Sequence, residues 1–292
     1  MSRAGTHWEI SSAPSWWQWP TILSLDAPAV ALLWQWQIAR AGGVHLGFAP
    51  RFVLGASVWL AYAGDRWFEG WRLAPGSVRT QRHYFYQRWR WPIAFLAAAV
   101  LAADLGVAWS GLTRRDFLAG LILLGPVLAY LFSHQLIHRD RQGRAPKEAC
   151  VALLFGGGVG IFLFAAPGAL LGPMVAPLAL FTLLCFTNCA LISVWEHAVD
   201  RSHGQVSLTS QFRGGAAFSR ALPWVLAPVA AASWLASAGP ARPAILGAAV
   251  SSVLLGLVDR GAGRLGWRLS RVLADVALLT PLATVLGRCL RS

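Results

Sequence analysis

The stretch SVWEHAVDRSHGQ, residues 193–205, follows a long apolar run and is dense in charge. Glu196 and Asp200 are four residues apart, so on a continuous helix both carboxylates lie on one face. The stretch LAYAGDRWFEG, residues 60–70, ends an earlier apolar run in the same way, with Asp65 and Glu69. The sequence therefore contains two apolar helices that each end in a pair of acids.

Apolar runs of this kind recur along almost the whole chain. The 292 residues are 56% hydrophobic and 13% charged, whereas about a quarter of the residues in an ordinary soluble domain are charged. Each run is about 20 residues long, which is enough to cross a hydrocarbon core about 30 Å thick. The sequence predicts an all-α, polytopic membrane bundle of about nine transmembrane helices. The predicted spans are 22–40, 48–66, 92–110, 116–137, 147–166, 172–195, 220–238, 241–259 and 271–290.

The domain organisation follows from these spans. Residues 1–21 hold Trp8, Trp16, Trp17 and Trp19 and are predicted to form an interfacial, Trp-rich tail. Residues 22–292 are predicted to form a single transmembrane domain. Several spans are rich in Gly and Ala, which favours close approach between helices.

Basic residues predict the orientation of the bundle. The net charge is +13, and all but one of the 25 basic residues are Arg. The loops after the second, fourth, sixth and eighth spans carry 17 of them, and the other loops carry five. By the positive-inside rule, the N-terminus is cytoplasmic and the C-terminus lies outside. We expect a multi-pass protein of the bacterial cell membrane in contact with anionic lipid, and not a nucleic-acid-binding protein.

The two acid pairs predict a metal site if their helices are neighbours. Four converging carboxylates repel one another unless a cation lies between them, and Mg²⁺ accepts carboxylates together with water or phosphate oxygens. The surrounding loops supply Arg, whose planar guanidinium suits phosphate. A membrane cavity with these groups would bind a lipid-tailed diphosphate. The alternative is that the acids are solvated charges at helix ends.

These motifs resemble the UbiA superfamily of intramembrane prenyltransferases, and the resemblance covers roughly residues 22–290. That family has nine transmembrane helices and Asp-rich motifs after helices two and six. The second motif, DxxxD followed by a basic residue and a Gly, resembles Glu196–Gly204, with Glu for the first Asp. The first motif, NDxxDxxxD, resembles Ala61–Glu69, where Ala61-Tyr62 replaces Asn-Asp and Glu69 replaces the last Asp. RTQRHYFYQR, 79–88, is similar to the family's diphosphate-binding loop, and PKEACVALLFGGG, 146–158, to the start of its fifth helix.

The resemblance implies Mg²⁺-dependent transfer of a prenyl group from a polyprenyl diphosphate to an aromatic or lipid-like acceptor. It implies that Asp65 and Asp200 are catalytic. The implied metal ligands are Asp65, Glu69, Glu196 and Asp200, and the implied substrate-binding residues are Arg66, Arg82, Lys147, Arg201, Asn188 and Tyr62.

Three alternatives remain at this level. Because Ala61-Tyr62 removes metal ligands, the chain could be a UbiA-like protein that has lost prenyl transfer and binds or moves an isoprenoid or lipid. A transporter would have an internal repeat, of which the two acid-ended helices are only a loose sign. A His-metal enzyme would use His134 and His138, which are more simply interface residues.

Three further acids have simpler interpretations. Asp26 and Asp275, near the starts of the first and ninth spans, are interpreted as acids that complement a helix dipole. Asp104, in the third span, is expected to make a buried hydrogen bond.

Overall fold

The computed structural model describes residues 14–72, 80–133, 146–202, 207–211 and 213–289. Within these ranges the regular structure is entirely helical, which confirms the all-α prediction. Helices α1 to α14 span, in chain order, Trp19–Ile22, Asp26–Ala41, Phe48–Arg72, Gln81–Arg88, Arg90–Gly111, Arg114–Phe132, Lys147–Ala165, Leu171–Trp195, His197–Ser202, Leu208–Gln211, Gly215–Ala236, Arg242–Leu265, Trp267–Ala277 and Pro281–Cys289. Short 3-10 helices precede α1 and α12.

The long helices match the predicted spans closely, but nine spans are not all supported. Six helices are long and apolar enough to cross a membrane, namely α5, α6, α7, α8, α11 and α12 with its preceding turn. The pair α13 and α14, bent by 52°, makes up to seven. Helix α2 has only 16 residues, about 24 Å at 1.5 Å per residue, which is short for a membrane span. Helix α3 is long enough, but its charged residues make it too polar to count among the candidate spans. The structure thus supports a polytopic membrane bundle.

The break between α13 and α14 corrects the prediction of one helix over residues 271–290. The last helical residue of α13 is Ala277, and α14 begins at Pro281. Proline lacks the N–H that a continuous helix requires, and its ring clashes with the preceding turn. Thr280, the residue before Pro281, donates its hydroxyl hydrogen to the carbonyl of Gly247 on α12 at 3.0 Å.

Two consecutive helices present almost all of their surface outward. None of the residues of α6 is buried, and only Ile93 and Asp104 are buried in α5. Their exposed side chains include Phe95, which is 74% exposed, and Ile122, also 74%. Water tolerates large contiguous apolar surfaces poorly, whereas lipid chains cover them. This surface supports an integral membrane protein.

The core of the bundle lies where α2, α7, α8 and α12 meet. Trp34 on α2 is fully buried and stacks on Phe181 of α8, with 4.9 Å between ring centroids. Its indole Nε1 donates to the carbonyl of Leu278 at 2.8 Å, because a buried indole N–H needs an acceptor. This contact joins α2 to the break after α13. The break therefore has a fixed position against the core.

Glycine allows close contact between α7 and α8. A Cβ added at Gly156 of α7 would lie 2.1 Å from Oγ1 of Thr182 on α8. That distance is far below van der Waals contact, so an added methyl group at this position would require the Thr182 side chain or one of the two helices to shift. The predicted role of Gly-rich spans in close packing is confirmed here.

Candidate functional site

One cavity of about 210 Å³ lies at the end of the bundle where α3 and α8 end and α2, α7 and α13 begin. More than half of the chain's 12 acidic residues line it, together with four basic residues. The acidic residues are Asp26, Asp65, Glu69, Glu148, Glu196, Asp200 and Asp275, and the basic ones are Arg66, Arg82, Lys147 and Arg271. The deeper wall is apolar and includes Val30, Val151, Phe155 and Leu278. The cavity thus combines a polar end with an apolar interior.

The structure brings the two predicted acid pairs to this one cavity. Asp65 and Glu69 lie on α3. Glu196 is the residue at which α8 ends, with φ −92° and ψ 6°, and Asp200 lies on the short helix α9. The spacing of Glu196 and Asp200 suggested one continuous helix, but the structure places them at the end of α8 and on α9. The backbone N–H of Asp200 still donates to the carbonyl of Glu196 at 2.8 Å, so the one-turn spacing survives the break.

Glu196 is held between two arginines. Oε2 of Glu196 lies 3.1 Å from Nη2 of Arg82 and 2.6 Å from Nη1 of Arg271. Burial alone raises the pKa of the Glu196 carboxyl, but Arg271 and Arg82 outweigh it and lower that pKa to about 2. Burial lowers the pKa of Arg82. Glu196 is therefore a permanent anion that neutralises buried arginine.

Asp200 has a weaker partner. Its Oδ2 lies 3.8 Å from Nζ of Lys147, the first residue of α7. Burial raises the pKa of the Asp200 carboxyl to about 6, although the Lys147 ammonium opposes the increase. Glu196 adds to the rise as a neighbouring negative charge. Asp200 thus gains or loses its proton near neutral pH.

Glu69 belongs to a chain of hydrogen bonds that connects α3 with α4. Its Oε2 lies 2.6 Å from Nε2 of His83, and Nδ1 of His83 lies 2.7 Å from Oγ1 of Thr80. Thr80 also caps α4 by accepting from the backbone N–H of His83. His83 is almost completely buried. It therefore fixes the position of a predicted metal ligand.

Arg66 lines the cavity but also holds the segment before α2. Its Nη1 donates to the carbonyl of Thr21 at 2.5 Å and to Oγ of Ser24 at 2.6 Å. Ser24 has a φ of +58°, which is unfavourable for a residue with a side chain, and its hydroxyl also contacts the Tyr86 hydroxyl at 2.8 Å. These contacts support the strained turn that leads into α2.

The predicted residues Asn188 and Tyr62 lie on the inner wall of the cavity. Nδ2 of Asn188 donates to Oδ1 of Asp275 at 3.0 Å. The Tyr62 ring packs edge-on against Phe155, with 6.1 Å between centroids, and the Arg66 guanidinium lies 5.9 Å from the same ring. Both residues therefore face the cavity.

One predicted residue lies elsewhere, and two others fall outside the described ranges. Arg201, on α9, is exposed and does not line the cavity. His134 and His138 lie outside the described residues. Asp104 accepts a hydrogen bond from Ser57 at 2.9 Å, as expected for a buried acid in a span.

The tail lies partly outside the described ranges as well, because its first 13 residues are not described. Within its described part, Trp16 is 84% exposed, whereas the Trp19 ring packs edge-on against Phe85 of α4.

Sequence reasoning missed Arg271 and Glu148 and gave Asp26 and Asp275 a helix-end role. Arg271 was counted only as a basic loop residue, because nothing in the sequence connects it to Glu196. Glu148 accepts a hydrogen bond from the backbone N–H of Leu208 at 3.0 Å and so holds α10 against α7. The one available signal was the small number of acidic residues. The chain has only 12, and an ionisable residue within an apolar segment commonly has a functional role.

The cavity fits a divalent cation in charge and in donor chemistry. Its seven acidic side chains exceed its four basic ones by three, and carboxylate oxygens are the ligands that Mg²⁺ prefers. Among the described residues, however, no three His, Cys, Asp or Glu side chains lie together as a preformed metal site. A cation here would need further oxygens from a bound ligand or from water.

Comparison with known proteins supports the fold. The chain is similar to the apo structure of a UbiA homolog from Aeropyrum pernix K1, with a TM-score of 0.59 and 17% sequence identity. The similarity covers 91% of this chain and 98% of the other. No family model and no curated protein matches the sequence. The resemblance inferred from the two motifs is therefore confirmed at the level of the fold, which is that of a UbiA homolog.

Proposed function

We propose that the protein transfers a prenyl group from a polyprenyl diphosphate to an aromatic or lipid-like acceptor. The observation that carries the proposal is the convergence of both acid pairs and four basic side chains on one cavity of a UbiA-like bundle. The polar end suits a diphosphate head, and the apolar wall suits a prenyl tail.

The basic residues bind and orient the diphosphate. Arg82 and Lys147 lie beside Glu196 and Asp200, so a phosphate oxygen that replaces either carboxylate finds a cation in place. Arg66 on α3 is a third basic residue that faces the diphosphate, and its hydrogen bonds to Thr21 and Ser24 keep its guanidinium in position. Arg201 would contact a headgroup only outside the cavity mouth.

Mg²⁺, when bound, would neutralise the charge that develops on the departing diphosphate. Asp65, Glu69 and Asp200 are the residues that would hold it, with His83 orienting Glu69. Glu196 is a poorer ligand than its position in the motif implies, because two arginines already bind its carboxylate. The aromatic face of Tyr62 would shield the allylic carbon while positive charge develops there.

The alternative is a UbiA-like protein that binds an isoprenoid without transferring it. Two observations favour this reading. Ala61-Tyr62 removes one carboxylate and one amide from the first motif, and Glu196 is engaged with arginine rather than free for a metal. In both readings, the protein is expected in the bacterial cell membrane with a cytoplasmic cavity mouth.

The test is turnover of geranylgeranyl diphosphate by the detergent-purified protein, with and without Mg²⁺. We expect Mg²⁺-dependent release of diphosphate that falls at least about 100-fold in an Asp65→Ala, Asp200→Ala double variant. Asp116→Ala is the matched control, because Asp116 is an exposed acid at the far end of the bundle. Binding without release would support the isoprenoid binder instead. If neither occurs, the acid pairs are helix-end charges.

A further inference from the structure

A cluster of two arginines and one glutamate lies in the wall of the cavity. It consists of Arg82 on α4, Glu196 at the end of α8 and Arg271 on α13. Nη1 and Nη2 of Arg82 donate to Oε1 and Oε2 of Glu196 at 3.4 and 3.1 Å. Nη1 of Arg271 donates to the same Oε2 at 2.6 Å. Both oxygens of the Glu196 carboxylate are therefore bonded to guanidinium groups.

These bonds occupy the carboxylate at the first acidic position of the second motif. Glu196 is only 3% exposed, and charge-assisted, bidentate contacts with arginine are among the strongest that a carboxylate makes. A divalent cation that bound Glu196 would have to displace an arginine, and it would leave a buried guanidinium without its partner. The cluster therefore disfavours a metal ion at this carboxylate.

The charge of the cluster equals that of a carboxylate with a bound Mg²⁺. Arginine stays protonated in proteins, so the two guanidinium groups and the one carboxylate leave a single net positive charge. A carboxylate with one Mg²⁺ leaves the same net charge. Arginine and Mg²⁺ also have a common role at phosphate groups, where both stabilise negative charge. The contacts that make Glu196 a poor metal ligand thus supply the charge that the metal would have brought.

Arg271 has an unused donor. Its Nη1 binds Glu196, whereas its Nε is buried and has no hydrogen-bond partner among the described residues. A buried donor of a charged group without a partner costs free energy, unless a ligand or water supplies an acceptor. The planar guanidinium suits the oxygens of a phosphate group, and Arg271 lines the cavity. The geometry therefore favours an anionic ligand at Arg271.

We propose that the Arg82–Glu196–Arg271 cluster takes the place of one divalent cation and that Arg271 binds the diphosphate directly. The inference rests on the proposed prenyl transfer. Glu196 is then a positioning residue that holds both guanidinium groups at the cavity wall. The other three acids of the two motifs are left to hold a single divalent cation.

The altered first motif fits the same inference. Ala61-Tyr62 stands where the family pattern has Asn-Asp, so this end of α3 offers fewer oxygen ligands. Mg²⁺ needs near-octahedral coordination by oxygen, and a site with fewer protein ligands is less able to hold a second ion. A fixed positive charge on α13 and α4 would offset that loss. The two departures from the family pattern are thus expected together.

The first experiment counts the cations. The full chain in phosphatidylcholine nanodiscs is titrated with Mn²⁺ in the presence of geranylgeranyl S-thiolodiphosphate, whose carbon–sulfur bond resists cleavage, and free Mn²⁺ is measured by electron paramagnetic resonance. We expect one Mn²⁺ per chain. Glu196→Gln should change the Mn²⁺ affinity by less than about threefold, whereas Asp65→Asn, which removes a proposed ligand, should weaken it at least about tenfold.

The second experiment tests Arg271 without any metal. Binding of inorganic pyrophosphate is measured by titration calorimetry in the presence of a chelator. Arg271→Gln should weaken binding at least about tenfold, since it removes a charge-assisted hydrogen bond. Arg268→Gln is the matched control, because it removes the same charge from the same helix but does not line the cavity. Arg271→Lys keeps the charge beside Glu196 and loses the planar guanidinium, so it should bind with intermediate affinity if Arg271→Gln does not fold.

The outcomes separate this inference from the proposed function. One Mn²⁺ per chain and Arg271-dependent pyrophosphate binding, without turnover of geranylgeranyl diphosphate, would support the cluster and contradict prenyl transfer. Two Mn²⁺ per chain, or a large loss of Mn²⁺ affinity in a folded Glu196→Gln variant, would overturn the inference. Wild-type pyrophosphate affinity in a folded Arg271→Gln variant would overturn it as well, as would a wild-type chain that does not bind pyrophosphate. Thermal unfolding of each variant reports its folding.

Discussion

Asp200 is a cavity residue whose protonation should change near neutral pH. Burial raises the pKa of its carboxyl to about 6, and Lys147 counteracts part of that increase. A protonated carboxyl is a poor ligand for a cation, so Mg²⁺ competes with the proton. Below about pH 6 the proton should prevail, and above it the cation.

We predict that Mg²⁺-dependent diphosphate release rises with pH around this value and that Lys147→Gln moves the midpoint upward. Removing the ammonium removes the charge that lowers the pKa of Asp200, so a higher pH is needed to ionise it. The pH profile of release measures the midpoint separately from the rate. Lys147→Arg keeps the positive charge and should keep the midpoint near that of the wild type. An unchanged midpoint in Lys147→Gln would mean that Asp200 does not control the profile.

Individual contacts between distant residues were beyond the reach of the sequence. Asn188 and Asp275 are 87 residues apart, and Arg271 and Glu196 are 75 apart. Each residue alone has an ordinary explanation as a helix-end charge or a packed amide. Asp65, Glu69, Glu196 and Asp200 were easier to group, because each pair has an i, i+4 spacing and ends an apolar run. Periodicity carries information along one helix, and it does not specify which helices are neighbours.

At the scale of helices, the predicted positions were accurate where apolar length alone defines a span. Residues 147–166 were predicted as a span and α7 covers Lys147–Ala165, while 172–195 were predicted and α8 covers Leu171–Trp195. The prediction was less accurate where polar contacts decide the geometry. Glu196, where α8 ends, contacts two arginines from distant segments. The break between α13 and α14 is caused by Pro281, but its position against the core involves contacts of Thr280 and of the Trp34 indole.

Helices α7 and α8 should be unusually sensitive to a single methyl group. We predict that Gly156→Ala lowers the free energy of unfolding by about 1–3 kcal/mol, because its Cβ would lie 2.1 Å from Thr182 Oγ1, so that the Thr182 side chain must rotate away from its bond to the Leu178 carbonyl or the helices must separate. Both α7 and α8 line the cavity, so diphosphate binding should weaken as well. Reversible unfolding in mixed micelles measures the change in free energy.

The control is Gly125→Ala on α6, where an added Cβ would meet nothing within 4 Å. This variant should be neutral or slightly stabilising, since Ala favours a helix over Gly. Equal stability of the two variants would show that α7 and α8 tolerate separation.

For the whole molecule, the distribution of basic residues predicts that the cavity mouth faces the cytoplasm. Helix α12 tests this prediction because its two ends lie on opposite sides of the bundle. In a background with the four cysteines replaced by Ala, Ala238→Cys lies just before α12 and Gly263→Cys near its end, and both positions are exposed. A membrane-impermeant maleimide applied to intact cells should label Ala238→Cys. It should label Gly263→Cys only after permeabilisation, and the reverse pattern would contradict the predicted orientation.

The outward-facing helix α6 also forms part of the cavity wall. Tyr130 of α6 lines the cavity, yet α6 has no buried residue. The outer side of this cavity wall is therefore a surface that acyl chains would cover in a bilayer. The width of the cavity should therefore depend on the bilayer as well as on the protein. Lateral pressure and bilayer thickness should influence how a ligand fits.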